Sequence, residues 1–183
     1  MAKYINVLET LKRTFSDINI HIQIEPMLDK TWYQRAHEAG ADTIGIHLEV
    51  LDPEIRSQIC PGKSHISFET YLEHWTEAIR IFGKNQVSSF VITGFESNMD
   101  EFKRNLKQII NIGVIPLITP VRHIPGVQIE IPQTNTNDFL EIVQFAAQEC
   151  HRTGLNPLLN KAGCIRCGGC SPINDAYELI MGK

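Results

Sequence analysis

Asn19-Ile-His-Ile-Gln-Ile-Glu25 and Thr43-Ile-Gly-Ile-His-Leu-Glu49 alternate polar and apolar residues, the pattern of a strand whose two faces meet different surroundings. Each follows a helical pattern. Val7, Leu8, Leu11 and Phe15 sit at helical spacing before the first, and residues 30–39, closed by Gly40, precede the second. Helix giving way to strand, twice in succession, is the rhythm of a parallel sheet with crossover helices.

The rhythm continues. Turn chemistry at Asp52-Pro53 and Cys60-Pro61-Gly62-Lys63 leads into a long amphipathic helix predicted over 68–82, with Leu72, Trp75, Ile79 and Phe82 on one face and Gly83 at its end. Residues 86–93 read as the third strand, 99–112 as a helix, 114–119 as the fourth strand and 137–153 as a last amphipathic helix. About four parallel strands with helices are too few to close a barrel. The expected fold is therefore α/β, an incomplete TIM-type barrel over residues 1–155, followed by a cysteine-rich metal-binding tail over 156–183.

Composition narrows the functional classes. The chain has 183 residues, 21% charged and 43% hydrophobic, with a formal charge of -4, and no block of Lys and Arg marks a nucleic-acid surface. No stretch approaches the roughly 20 apolar residues of a membrane span, and residues 1–15 are too interrupted by charge for a signal peptide. Neither a nucleic acid nor a membrane is the expected partner, and the expected location is cytoplasmic. Cysteines number five, with three of them in seven residues, a pattern that suits a metal or redox site in a reducing compartment better than a disulfide framework.

Those three lie in Gly163-Cys-Ile-Arg-Cys-Gly-Gly-Cys-Ser-Pro172. The spacing C-x2-C-x2-C in a glycine-rich loop predicts that Cys164, Cys167 and Cys170 turn their sulfurs toward one point. Thiolate-only ligation suits an iron–sulfur cluster, of the 4Fe-4S kind, or zinc. A fourth ligand is missing locally; Cys60, Cys150, His151, a substrate or a partner are candidates. Cys150, inside the last helix, reads most simply as a buried small hydrophobe.

In parallel α/β folds ligands gather at the C-terminal ends of strands, which points to Glu25, His47, Glu49, Gly94-Phe-Glu96 and Arg122. Gly45-Ile-His-Leu-Glu-Val-Leu-Asp-Pro-Glu-Ile-Arg56, then Cys-Pro-Gly-Lys63, then Val87-Ser-Ser-Phe-Val-Ile-Thr-Gly-Phe-Glu96 is similar, in this order, to the second half of biotin-synthase-like radical S-adenosylmethionine proteins. The resemblance covers residues 18–126 and extends to the two-subunit archaeal lipoyl synthases.

That resemblance implies a partial (βα)6 barrel, a 4Fe-4S cluster on a C-x3-C-x2-C loop after the first strand, and cleavage of S-adenosylmethionine to a 5'-deoxyadenosyl radical. By strand count the chain starts at the family's third strand, and C-x3-C-x2-C occurs nowhere in it. Carried over, Glu49 is similar to the strand-four carboxylate that contacts the polar part of S-adenosylmethionine, with His47 beside it on the same strand face. Ile92-Thr-Gly94 and Glu96 resemble the fifth-strand motif near the adenine, although Phe90 replaces its first glycine and Glu96 comes one residue early. Arg56, Lys63 and Arg122 are candidates for a substrate carboxylate or phosphate.

The expected function is thus the S-adenosylmethionine- and substrate-binding portion of a radical enzyme with an auxiliary iron–sulfur cluster, biotin- or lipoyl-synthase-like sulfur insertion being its narrowest form. Its substrate would be a small molecule or a group on a carrier protein, and a second chain or self-association would complete the barrel. A non-catalytic iron–sulfur or zinc module and a truncated reading frame are the alternatives.

Overall fold

The structure is a computed structural model and describes residues 2–122, 125, 126, 130, 132 and 134–182. Helix α1 (Ala2–Thr14) leads to strand β1 (His21–Ile24), helix α2 (Thr31–Glu38) to β2 (Thr43–Ile46), and α3 (Pro53–Ile59) and α4 (Phe68–Phe82) to β3 (Val87–Thr93). Helix α5 (Met99–Ile112) precedes β4 (Ile115–Pro120), and α6 (Thr136–Thr153), α7 (Gly163–Cys167) and α8 (Ile173–Ile180) complete the chain. All pairings are parallel, in the order β1-β2-β3-β4. This is the four-stranded α/β sheet that the helix–strand rhythm predicts, and it is consistent with part of a barrel.

Helices α4 and α5 begin where Ser67 and Asn98 cap them, each side chain accepting a hydrogen bond from a backbone N–H of the first turn. Glycines Gly83 and Gly113 end them with φ of 84° and 106°, a conformation that costs a residue without Cβ little. Helix α4 docks through Tyr71, Trp75, Ala78 and Phe82, all buried, and the Trp75 indole donates to the Ile46 carbonyl at 2.9 Å. Its Leu72 and Ile79 are only half-buried. In α1 the buried residue is Leu8, while Val7, and Phe15 just past the helix end, are exposed, so the apolar face is narrower than the spacing suggests.

Two elements differ in kind from the sequence expectation. Asp52-Pro53 is a helix start: the Asp52 carboxylate accepts from the N–H groups of Glu54 and Ile55, with Pro53 at the first helical position. The tail is helical as well. Its Ile165, Ile173 and Tyr177 join the same buried core as the strands, and α8 packs on α6 and reaches β4.

The register shows which residues share a face. His21 lies level with Thr43, Gln23 with Gly45, Gly45 with Ser88, and Ser88 with Ile115. By strand alternation, His21, Gln23, Thr43, Gly45, Ser88, Phe90, Ile92, Ile115, Leu117 and Thr119 form one face of the sheet, the inner face of a barrel. The tail lies against it.

No helix among the described residues is long and apolar enough to cross a membrane.

Candidate functional site at the strand ends and the cysteine tail

Strand β2 changes character after Ile46. Up to Gly45 its partners on β3 lie 43 positions ahead, but Glu49 bridges to Val91, 42 ahead, so one extra residue is accommodated on the β2 side, as in a β-bulge. Glu49 itself takes φ 71°. His47 and Glu49 therefore do not share the face that plain alternation predicts. Ser89 Oγ accepts the Leu48 N–H at 3.1 Å, and His47 Nδ1 accepts the Phe90 N–H at 3.0 Å. These side chains satisfy backbone groups where the ladder is interrupted.

The bulge aims Glu49 at Lys63. The ammonium lies 3.0 Å from Glu49 Oε1 and 3.5 Å from Glu25 Oε1, and donates to the His47 carbonyl at 2.8 Å. Tyr71 donates to the same carbonyl at 3.3 Å. Glu25, Glu49 and Lys63, three residues singled out from the sequence, thus form one charged cluster at the ends of β1 and β2. Lysine here holds two carboxylates in place, and the more exposed Glu25 leaves the cluster open to solvent.

The remaining basic residues go elsewhere. Arg56 is buried, and its Nη1 donates to the carbonyls of Val50 and Leu51 at 3.0 and 3.4 Å; it locks the connection between β2 and α3 and is turned away from the rim. Arg122 is exposed and borders an open depression of about 300 Å³ lined by Phe90, Ile92, Thr119, Pro120, Val121 and Cys170. His123 and Ile124, the next residues of that predicted rim segment, lie outside the described residues.

Gly94 and Glu96 form a tight local unit. Glu96 Oε2 accepts the Gly94 N–H at 2.7 Å, and burial pushes the Glu96 carboxyl above its ordinary range. Gly94 has φ 115°, and a Cβ there would lie 2.7 Å from Val121 Cγ1 and 2.8 Å from Thr134 Oγ1. The close approach that requires glycine is made by these two side chains.

In the tail, α7 replaces the expected loop. Cys164 and Cys167 are three residues apart on one helix, and Gly168, with φ 72°, and Gly169 turn the chain toward Cys170. Cys164 is half-buried, while Cys167 and Cys170 are exposed. Among the described residues no three His, Cys, Asp or Glu side chains converge as the ligands of a single metal ion do. The sulfurs do not face one point: the helix points Cys164 at β1, where Gln23 Nε2 donates to its Sγ at 3.8 Å. In a cluster each iron takes its own protein ligand, so cluster donors need not meet at a point. The donor set fits such a group. Burial, then the neighbouring thiols of Cys170 and Cys167, raise the Cys164 thiol above its ordinary range.

Two histidines lie beneath the tail. His21 Nδ1 is 2.7 Å from Thr43 Oγ1, whose own proton goes to the Ala162 carbonyl at 3.3 Å. Gly163, with φ 82°, lies flat on the ring: a Cβ there would be 2.3 Å from His21 Cγ. Gly45 leaves the matching space below, since a Cβ would lie 2.6 Å from His47 Nε2 and 3.3 Å from His21 Nε2. Both Nε2 atoms are buried without a partner. Burial lowers the pKa of His21 to about 4 and, with Lys63 and His21 adding to it, that of His47 to about 3, so both rings are neutral at physiological pH.

His21 and Gln23 are absent from the sequence-derived site. Their signal was the polar side of the first alternating strand, which is legible as a polar stripe but says nothing of the tail that covers it.

No protein-family model matches the chain. Over 139 residues, 72% of the chain, it is 28% identical to a bacteriochlorophyllide c C-7(1)-hydroxylase of Chlorobaculum limnaeum. The match takes in 33% of that protein, so this chain spans about a third of the relative's length.

Proposed function

We propose that the chain is the S-adenosylmethionine- and substrate-facing portion of a radical S-adenosylmethionine enzyme, with the cysteine tail as an auxiliary iron–sulfur site. The observation that carries this reading is the position of the tail. Cys164 and Cys170 sit at the inner face of the same sheet whose strand ends hold Glu25, Glu49 and Lys63. The likeness to a hydroxylase supports a reaction at a carbon–hydrogen bond, the starting point that hydroxylation shares with sulfur insertion. Between these two the relative's name favours hydroxylation.

When bound and reduced by one electron, S-adenosylmethionine supplies a 5'-deoxyadenosyl radical able to remove a hydrogen atom from an unactivated carbon. A C-x3-C-x2-C loop does not occur in these 183 residues, and further strands bearing it would add beside β1, at the edge of the described sheet. This chain's own residues orient. Glu49, fixed by the bulge and by Lys63, offers a carboxylate to an ammonium or to ribose hydroxyls. Glu25 extends the acidic edge, Lys63 holds both carboxylates in place, and Arg122 offers a planar cation to a substrate carboxylate. Thiolates of Cys164, Cys167 and Cys170 would hold the auxiliary cluster.

Calorimetric titration of the chain with S-adenosylmethionine tests the site. Glu49→Gln removes a charged acceptor worth about 1.5–3 kcal/mol, so affinity should fall roughly tenfold to a hundredfold, with exposed Glu73→Gln as a control that changes nothing. Absence of binding, or equal affinity in Glu49→Gln, would exclude this role.

A further inference from the structure

The tail covers only part of the inner face. On β1 and β2 it lies close: Gly163 packs on the His21 ring, Gln23 meets the Cys164 sulfur, and the Thr43 hydroxyl reaches the Ala162 carbonyl. At the C-terminal ends of β3 and β4 the same face is open. Phe90, Ile92 and Thr119 are only half-buried there, whereas Val91, Thr93 and Ile118, on the outer face by strand alternation, are fully buried. Ile92 and Thr119 lie level in the register and floor the depression of about 300 Å³ that Arg122 and Cys170 border.

Three observations define what this depression can hold. Its volume is at the small end of the roughly 300–1,000 Å³ of ligand sites, which suits a small molecule and not a helix or strand of another protein. Its floor and walls are mostly apolar, and Phe90 presents a ring held edge-on by the His47 imidazole, centroids 4.8 Å apart, so an apolar body is the matching partner. Among the described residues that line it Arg122 is the one charged group, and no ion pair among the described residues occupies it. A guanidinium fork matches one carboxylate in both shape and charge, whereas a phosphate dianion would keep an uncompensated charge beside apolar walls.

We infer that this depression binds a substrate with an apolar body and one carboxylate, the body on Phe90 and Ile92, the carboxylate on Arg122 and the Cys170 sulfur at the wall. The inference rests on the proposed reading of the inner face as the substrate side, and names the class of molecule it takes. It sets that molecule beside the charged strand ends, because His47, whose ring supports Phe90, gives its carbonyl to Lys63. It also brings one thiol of the tail into contact with the substrate.

Fluorescence titration of the full metal-free chain with 1-pyrenebutyrate, and with 1-pyrenebutanol as the same body without the charge, tests the pairing. The acid should bind roughly threefold to tenfold more tightly than the alcohol, as one solvent-accessible charge-assisted contact provides. Arg122→Gln should abolish that preference and leave alcohol binding unchanged. Mass spectrometry reads the location separately. Bound acid should slow alkylation of Cys170 by N-ethylmaleimide and leave Cys167, exposed but outside the depression, reacting at its free rate. Should Arg122→Gln not fold, the preference for the acid and the protection of Cys170 in the unmutated chain still decide. Equal affinity for acid and alcohol, a preference that survives Arg122→Gln, or equal slowing of Cys167 and Cys170 overturns the inference. Binding of S-adenosylmethionine without binding of the acid overturns this inference alone; absence of both overturns the underlying reading as well.

Discussion

At the residue scale, chemistry was legible where a side chain announces itself by type and spacing. Cys164, Cys167 and Cys170 were evident as a set, and Glu49 and Lys63 were both singled out, although their pairing was not. His21 was not legible, because its role comes from Gly163 lying on it, 142 positions later, and no local pattern encodes that contact. Arg56 misled for a related reason: a charged residue beside a turn reads as surface until its carbonyl partners are seen. His21 and His47 also carry a pH signature. In the unfolded chain each takes up a proton near its ordinary pKa of about 6.5, whereas the folded forms wait until about 4 for His21 and about 3 for His47. Between those limits the unfolded chain binds more protons, so their contribution is full above about 6.5 and is lost as pH falls. Buried His74 acts in the same direction, and Glu96, raised by burial, acts oppositely. Each histidine adds a slope approaching about 1.4 kcal/mol per pH unit. Urea unfolding of the metal-free chain should show stability falling from pH 7 to pH 5, with a visibly flatter fall in a His21→Gln, His47→Gln double variant. Equal slopes would contradict the burial of these rings.

At the element scale, long helices were placed well because a repeated apolar face and a cap agree over many residues. Helices α4 and α5 occupy the predicted spans, 68–82 and 99–112. Short elements were lost. Asp52-Pro53 fits a turn and a helix start alike, and only the seven residues of α3 decide between them. Helix α8 carried a signal that the cysteines overshadowed: Ile173, Ala176, Tyr177 and Ile180 stand at i, i+3, i+4 and i+7. The β2 bulge had none, since an extra residue is visible only against its partner strand. Two substitutions test these elements. Arg56→Ala strips the Val50 and Leu51 carbonyls of their buried donor, and should cost about 2–3 kcal/mol in urea unfolding; a loss under about 0.5 kcal/mol would mean that water replaces the guanidinium freely. Removing residues 161–183 withdraws Ile165, Ile173 and Tyr177 from the core, each worth about 1.5–3 kcal/mol of burial. The shortened chain should lose cooperative unfolding and bind a hydrophobic dye, and retention of a sharp transition would show that the tail is a separate unit.

At the scale of the whole molecule, the sequence conveyed the number, direction and order of the strands, because the βα rhythm and right-handed crossovers leave few alternatives. It did not convey that the tail returns across the sheet. That return joins the chain's two candidate sites: the charged strand ends are at one level of the inner face, and the cysteines and His21 are at another, with His47 between them touching both through its carbonyl contact to Lys63 and its ring beside His21. Among the described residues the sheet has β1 and β4 as its edges, so β1 is open to pairing with further strands. The account depends above all on the tail holding a cluster. Anaerobic loading of the chain with iron and sulfide, followed by metal and sulfide analysis and absorption spectroscopy, tests this most directly. One cluster per chain, with thiolate-to-iron absorption near roughly 400 nm that disappears when Cys164, Cys167 and Cys170 are all replaced by Ser, is the predicted result; uptake of zinc alone, or the same absorption in the triple variant, would contradict it.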